Sequence, residues 1–85
     1  MPERKVTIAA EVGLHARPAA TFVRAAAKAT IDISVTKPGR APVSAKSILQ
    51  IMSLDVRQGE MIVISAEGEN ADEILDQLAE IASTP

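Results

Sequence analysis

Phe22 is the single aromatic residue in a chain of 85, and the chain has no cysteine. Nothing covalent can hold such a fold together, and large planar rings cannot fill its interior. The core must therefore be assembled from aliphatic side chains and alanine, which with the other apolar types make up 47% of the residues. That supply is ample for one compact core, but a domain this small has little stability to spare. Residues 1–85 are accordingly read as a single domain. The missing cysteines exclude a disulfide framework, thiol redox chemistry and a thiolate metal site. No apolar run approaches the ~20 residues that span a bilayer. The N-terminus lacks the apolar stretch of a signal peptide. A soluble, cytoplasmic protein without a metal or cofactor is expected.

The pattern of the chain then suggests how that core is built. Residues 5–9 alternate loosely, with Val6 and Ile8 on one face, and read as a first strand. Residues 16–29 are rich in alanine with Arg and Lys, which suits a helix. Pro18 falls in its first turn, where a missing N–H has no partner to lose. Ala19, Phe22, Val23 and Ala26 share one face of this helix, and Arg17, Arg24 and Lys28 share another. Residues 31–36 alternate strictly, with Ile31, Ile33 and Val35 inward. Lys37-Pro38-Gly39-Arg40 fits a type II turn, followed by a short return strand over 40–44. Pro42 cannot donate to a ladder, so that strand belongs at an edge. Residues 47–54 suggest a short helix with Ile48, Ile51 and Met52 inward and Leu49 surplus to the core. The nearly continuous apolar run 61–66 suits a central strand. Asn70 and Glu73 have the spacing of a capping box, and Ala71, Ile74, Leu75, Leu78, Ile81 and Ala82 recur at helical spacing behind them. The acids Asp72, Glu73 and Asp76 lie early in that helix, where its dipole favours them. The order βαββαβα, with helices able to cover only one face, predicts an α+β open-faced sandwich.

Charge is divided along the chain. Residues 1–57 hold all nine Lys and Arg against four acids, a net of +5, and residues 58–85 hold seven acids and no Lys or Arg. Such a division either steers charged partners or is satisfied within the molecule.

The chemistry centres on Gly13-Leu14-His15-Ala16-Arg17-Pro18-Ala19. A strand ends, a glycine permits a tight bend and a helix begins at about residue 16. The only histidine of the chain, His15, is thereby expected at a helix N-terminus, where free N–H groups and the dipole favour an anion. Arg17 adds a forked cation suited to phosphate oxygens. Positive surroundings disfavour an imidazolium and so lower the pKa of the ring below its usual ~6.5, keeping it a neutral nucleophile. Singly, a histidine at a helix start is most often a cap or a surface residue, and an arginine there a solvated charge. Their combination points to a nucleophile beside an anion site.

This run resembles the active-site signature of the HPr family, the histidine-containing phosphocarriers of the phosphoenolpyruvate-dependent sugar phosphotransferase system. A second block, Lys46-Ser47-Ile48-Leu49-Gln50-Ile51-Met52-Ser53-Leu54, is similar to the regulatory-serine segment of that family. The resemblance covers essentially the whole chain. It implies a four-stranded antiparallel sheet with three helices on one face. It implies a phosphoryl carrier that is not itself an enzyme: a phosphoryl group is taken from phospho-enzyme I onto Nδ1 of His15 and passed to enzyme IIA domains of sugar permeases. Arg17 then stabilises the phosphohistidine. Ser47 matches the serine that a dedicated kinase phosphorylates in some bacteria, and it links the family to that kinase/phosphorylase and to a transcription regulator. Ile48, Leu49 and Met52 match an apolar docking patch, with Arg24 and Lys28 a basic rim. The family is usually monomeric. Asp55, where the family often has glycine, and Pro42 depart from its pattern, so the end of the short helix is expected to differ.

Two other readings stand beside the carrier. One is a regulatory module that docks through Ser47, and the other is a paralogue serving a nitrogen-type phosphorelay. Nucleic-acid binding is disfavoured by a pI of about 5.3 and by the lack of stacking aromatics.

Overall fold

The computed structural model describes residues 2–14 and 16–85, Ala16 by its backbone alone. Seven elements follow one another: β1 (Glu3–Thr7), α1 (Ala16–Ala27), β2 (Ile33–Thr36), β3 (Val43–Ser44), α2 (Ile48–Ser53), β4 (Met61–Ala66) and α3 (Ala71–Ser83). The strands form one antiparallel sheet in the order β1-β4-β2-β3. The apolar run at 61–66 is thus a central strand, and the proline-bearing return strand is an edge. The helices lie on one face, giving the expected α+β open-faced sandwich. Among the described residues no helix is long and apolar enough to cross a membrane.

Register explains which side chains the helices cover. Val6 lies opposite Ile62, and Ile64 lies opposite Val35, so one face of the sheet presents a continuous aliphatic layer. Against it pack Ala19, Phe22 and Ala26 of α1, Ile51 of α2, and Leu75 and Leu78 of α3, all buried. The core is aliphatic around one aromatic ring, as the composition requires. The charge division is partly satisfied inside the molecule. Arg4 of β1 donates from Nε to Asp76 (2.9 Å) and from Nη2 to Asp72 (3.1 Å), tying the edge strand to α3. Those two carboxylates, Asp76 foremost, hold the guanidinium pKa above its ordinary value.

Several boundaries differ from the sequence reading, each for a local reason. β1 runs over Glu3–Thr7 rather than 5–9, because an edge strand with one open face accommodates polar residues that alternation does not reveal. α1 ends at Ala27, where Lys28 and Ala29 donate instead to the carbonyls three residues back, Ala25 and Ala26, and tighten the last turn. β2 starts at Ile33, and β3 is only two residues long beside Pro42. The Lys37–Arg40 turn closes with Arg40 N–H on the Lys37 carbonyl (3.0 Å) and Gly39 at φ 82°, as a type II turn requires. The capping box at Asn70 does not form. Asn70 is left-handed (φ 61°) and its side chain caps nothing, whereas a side-chain cap needs an extended residue there. A backbone turn from Gly68 to Ala71 leads into α3 instead. Met52 is not inward: α2 is a single short turn and a half, and only Ile51 on it is fully buried.

Asp55 keeps the end of α2 on the course a glycine would give it. Its φ is 52°, in the left-handed region that disfavours most side chains. Asp55→Val is expected to lower stability by about 1–2 kcal/mol, since a β-branched residue fits that region worst. Asp55→Gly should leave the thermal midpoint unchanged or higher. Thermal unfolding of both variants followed by circular dichroism checks this.

Candidate functional site

The site is assembled where the segment between β1 and α1 lies against the segment between α2 and β4. Ile8 N–H bonds the Glu60 carbonyl (2.9 Å), and Gly59 N–H bonds the Ile8 carbonyl (2.8 Å), extending the β1–β4 pairing. A turn closed by Gly13 N–H on the Ala10 carbonyl (2.9 Å) follows, and Leu14 N–H then bonds the Val56 carbonyl (2.9 Å). Gly13 is left-handed (φ 69°), and a methyl group on it would overlap the Val56 carbonyl oxygen and come within 2.9 Å of Arg57 Cα. Only glycine allows this approach. Leu14 is buried behind it, and α1 opens two residues later.

His15 lies outside the described residues. Arg17 stands exposed in the first turn of α1, a turn that holds no acidic residue. Arg24 and Lys28 are exposed further along α1. The side chains of all three bond to no other described residue. An Arg in the first turn works against the helix dipole unless something negative joins it. Among the described residues, the first turn of α1 is thus a cationic surface without a counter-ion, unlike Arg4.

The second block lies on α2, which packs beside α1. Ser47 is its N-cap: the backbone is extended, and Ser47 Oγ accepts from Gln50 N–H (3.3 Å). Ile48 is half-buried against the core, while Leu49 is 78% and Met52 37% exposed. The apolar surface of α2 is therefore chiefly Leu49 and Met52, with Ile48 as its footing.

Two features escaped the sequence reading. Val12 is 60% exposed at the mouth of a hollow of about 700 Å³ beside Arg17, lined also by Thr21, Gln58 and Ile81. No local pattern could reveal it, because its walls come from four parts of the chain. The other is a polar clasp behind the site. Lys37 Nζ donates to the carbonyls of Asp55 (2.9 Å) and Leu54 (3.3 Å) and pairs with Glu60 Oε1 (3.1 Å). Glu60 Oε1 also accepts from Arg57 N–H (2.8 Å), and Arg57 Nη2 meets Asp55 Oδ2 (3.1 Å). The Arg57 N–H, and then Lys37, hold the Glu60 carboxyl below its ordinary value. The only available signal was charge, which does not say who pairs with whom.

The fold defines the class first: an open-faced α+β sandwich of one four-stranded antiparallel sheet and three helices. The family model described as "PTS HPr component phosphorylation site" matches residues 2–84. Phosphocarrier protein HPr of Streptomyces coelicolor is 39% identical over 98% of this chain and 89% of its own. The crystal structure of HPr from Bacillus anthracis superposes with a TM-score of 0.91 at 43% identity, covering 96% of each chain. A structure of an HPr dimer from Thermoanaerobacter tengcongensis is also similar, with a TM-score of 0.73 at 44% identity, covering 95% of this chain and 92% of its own. The chain belongs to the HPr family, the phosphocarrier proteins of the phosphotransferase system.

Two outcomes test this construction. Gly13→Ala is expected to cost about 2 kcal/mol or more, because both the left-handed φ and the contact with Val56 are lost; denaturant unfolding measures it. Glu60, with its folded pKa lowered, contributes stability that is present above its ordinary pKa of 4.5 and disappears as pH falls through the folded value. The difference in melting temperature between the parent and Glu60→Gln should therefore be widest near neutrality and close in acid.

Proposed function

We propose that this protein accepts a phosphoryl group from phospho-enzyme I on Nδ1 of His15 and passes it to enzyme IIA domains of sugar permeases. The observation that carries this reading is Arg17: an exposed cation in the first turn of α1, bonded to no other described side chain and two residues beyond the histidine, in a member of a phosphocarrier family.

Transfer is a displacement at phosphorus. The Nδ1 lone pair of a neutral imidazole, its hydrogen on Nε2, forms the new P–N bond. The bond between phosphorus and the donor atom of phospho-enzyme I breaks, and its electron pair stays with the donor. The guanidinium of Arg17 and the free N–H groups at the start of α1 meet the phosphoryl oxygens. Onward transfer is the same exchange with the roles reversed. The chain supplies an acceptor and a docking surface, and catalysis belongs to its partners. Leu49 and Met52, on their Ile48 footing, provide the apolar part of that surface, and Arg24 and Lys28 extend its charge. In this reading the protein is a cytoplasmic, single-domain monomer.

A second role is proposed for Ser47. Its hydroxyl caps α2 within two residues of exposed Leu49. A phosphate added there by a serine kinase would place about two negative charges beside the docking surface, changing which partners bind, a transcription regulator among them. Phosphorylation by such a kinase, with the label lost in Ser47→Ala, is the expected outcome.

The experiment for the carrier role is incubation with phosphoenolpyruvate and purified enzyme I. An acid-labile, alkali-stable phosphate should appear on the parent and be absent from His15→Ala. Label that never appears, or that persists in His15→Ala, contradicts the proposal. Arg17→Glu should slow acceptance by about 10- to 100-fold, the loss of one charge-assisted contact. Its unfolding midpoint should not fall, because the side chain is exposed and an acid in the first turn suits the helix dipole.

A further inference from the structure

Lys37 follows β2 and opens the turn to β3, yet its ammonium lies against the segment between α2 and β4. The side chain is only 16% exposed, and a charge so withdrawn from water is costly unless its partners are complete. An ammonium has three donors. Here each has an acceptor: the Asp55 carbonyl (2.9 Å), the Leu54 carbonyl (3.3 Å) and Glu60 Oε1 (3.1 Å).

Both carbonyls need such a partner. Leu54 is the C-cap of α2, so its carbonyl lies past the helix's own bonds. Asp55 is held at φ 52°, a conformation that a non-glycine residue keeps only where its surroundings fix it. The next carbonyl, that of Val56, receives Leu14 N–H (2.9 Å) at the entry to α1. An unbroken line of contacts thus runs from Lys37 through the backbone of 54–56 to Leu14 and the first turn of α1, where Arg17 stands. We propose that Lys37 is a positioning residue for phosphoryl acceptance: by holding Asp55 left-handed, its ammonium aims the Val56 carbonyl at Leu14 N–H and so sets the entry to α1 and the placement of Arg17. This rests on the carrier reading above for its purpose, but the positioning is tested without it.

The neighbouring arginines act elsewhere. Arg40 Nη1 reaches the Ser53 carbonyl (3.3 Å), one residue before the C-cap. Arg57 Nη2 meets the Asp55 carboxylate and not its backbone. Glycine adopts a positive φ at no steric cost, so a chain with glycine at position 55 should not need the ammonium to hold that backbone.

The experiment is a double-mutant cycle on the full chain, with the parent, Lys37→Met, Asp55→Gly and the two together. Each is read by amide hydrogen exchange at Leu14 relative to Leu78 in α3, and by the rate of phosphoryl acceptance from phospho-enzyme I. Lys37→Met should speed exchange at Leu14 about tenfold relative to Leu78. It should lower acceptance severalfold at saturating donor with KM little changed, since exposed Leu49 and Met52 are untouched. In the Asp55→Gly background the same replacement should change either readout by less than about twofold. Equal effects in the two backgrounds overturn the proposal, as does Leu14 exchange unmoved by Lys37→Met, or faster exchange with acceptance unaltered. If Lys37→Met does not fold, Lys37→Gln takes its place in the cycle with the same outcomes. A parent that accepts no phosphate sinks the carrier reading, and the exchange cycle still decides whether Lys37 positions the segment.

Discussion

The bond from Leu14 N–H to the Val56 carbonyl, and the absence of a side chain on Gly13 that permits it, is the contact on which the site depends. It joins two connections far apart in sequence at the point where β1 gives way to α1. Without it, the start of α1 would be fixed only by the burial of Ala19 and Phe22 further along the helix, which sets the helix's depth but not the direction from which the chain enters it. The clasp of Lys37, Glu60 and Arg57 supports the same contact from behind by fixing the course of 54–57. A left-handed glycine on one side and a left-handed aspartate on the other show that backbone shape at this spot is determined by the tertiary structure.

Division of labour among the surfaces follows from the open-faced architecture. One face of the sheet is covered by the helices, whose outer sides stay in solvent. α3 spends two of its acids on Arg4, which secures an edge strand that has a neighbour on one side only. α1 keeps its exposed cations unspent, and α2 leaves Leu49 and Met52 uncovered. The two readings of the charge division are therefore both realised in different places: internal complementarity at Arg4 and Lys37, and an outward basic surface on α1.

Much of this was legible in the sequence, for identifiable reasons. Residues 61–66 and 71–82 carry strong apolar signals, and burial in the sheet centre and under α3 follows from them. Pro42 marked an edge strand because a missing donor has only one place to go. Ser47 stands just before an apolar run, where a serine is ordinarily a helix cap, and it caps α2. Asn70 had the same appearance and failed, because a cap depends on backbone conformation and the turn from Gly68 had already fixed it as left-handed. Met52 was misplaced because a helix of six residues is too short for periodicity to separate inside from outside. At the site, Gly13 and Arg17 could be read from a contiguous motif. Val56, Lys37 and Glu60 could not, since their roles are hydrogen bonds between distant segments. Asp55 showed only as a departure from a familiar pattern, because its left-handed φ of 52° is set by segments distant in sequence.

The central claim is the proposal that His15 accepts a phosphoryl group on Nδ1. It is tested most directly on uniformly ¹⁵N-labelled protein phosphorylated by phosphoenolpyruvate and enzyme I, by measuring phosphorus–nitrogen coupling. The account predicts coupling to Nδ1 with Nε2 still bearing its hydrogen. Coupling to Nε2, or phosphate coupled to no ring nitrogen, would contradict it.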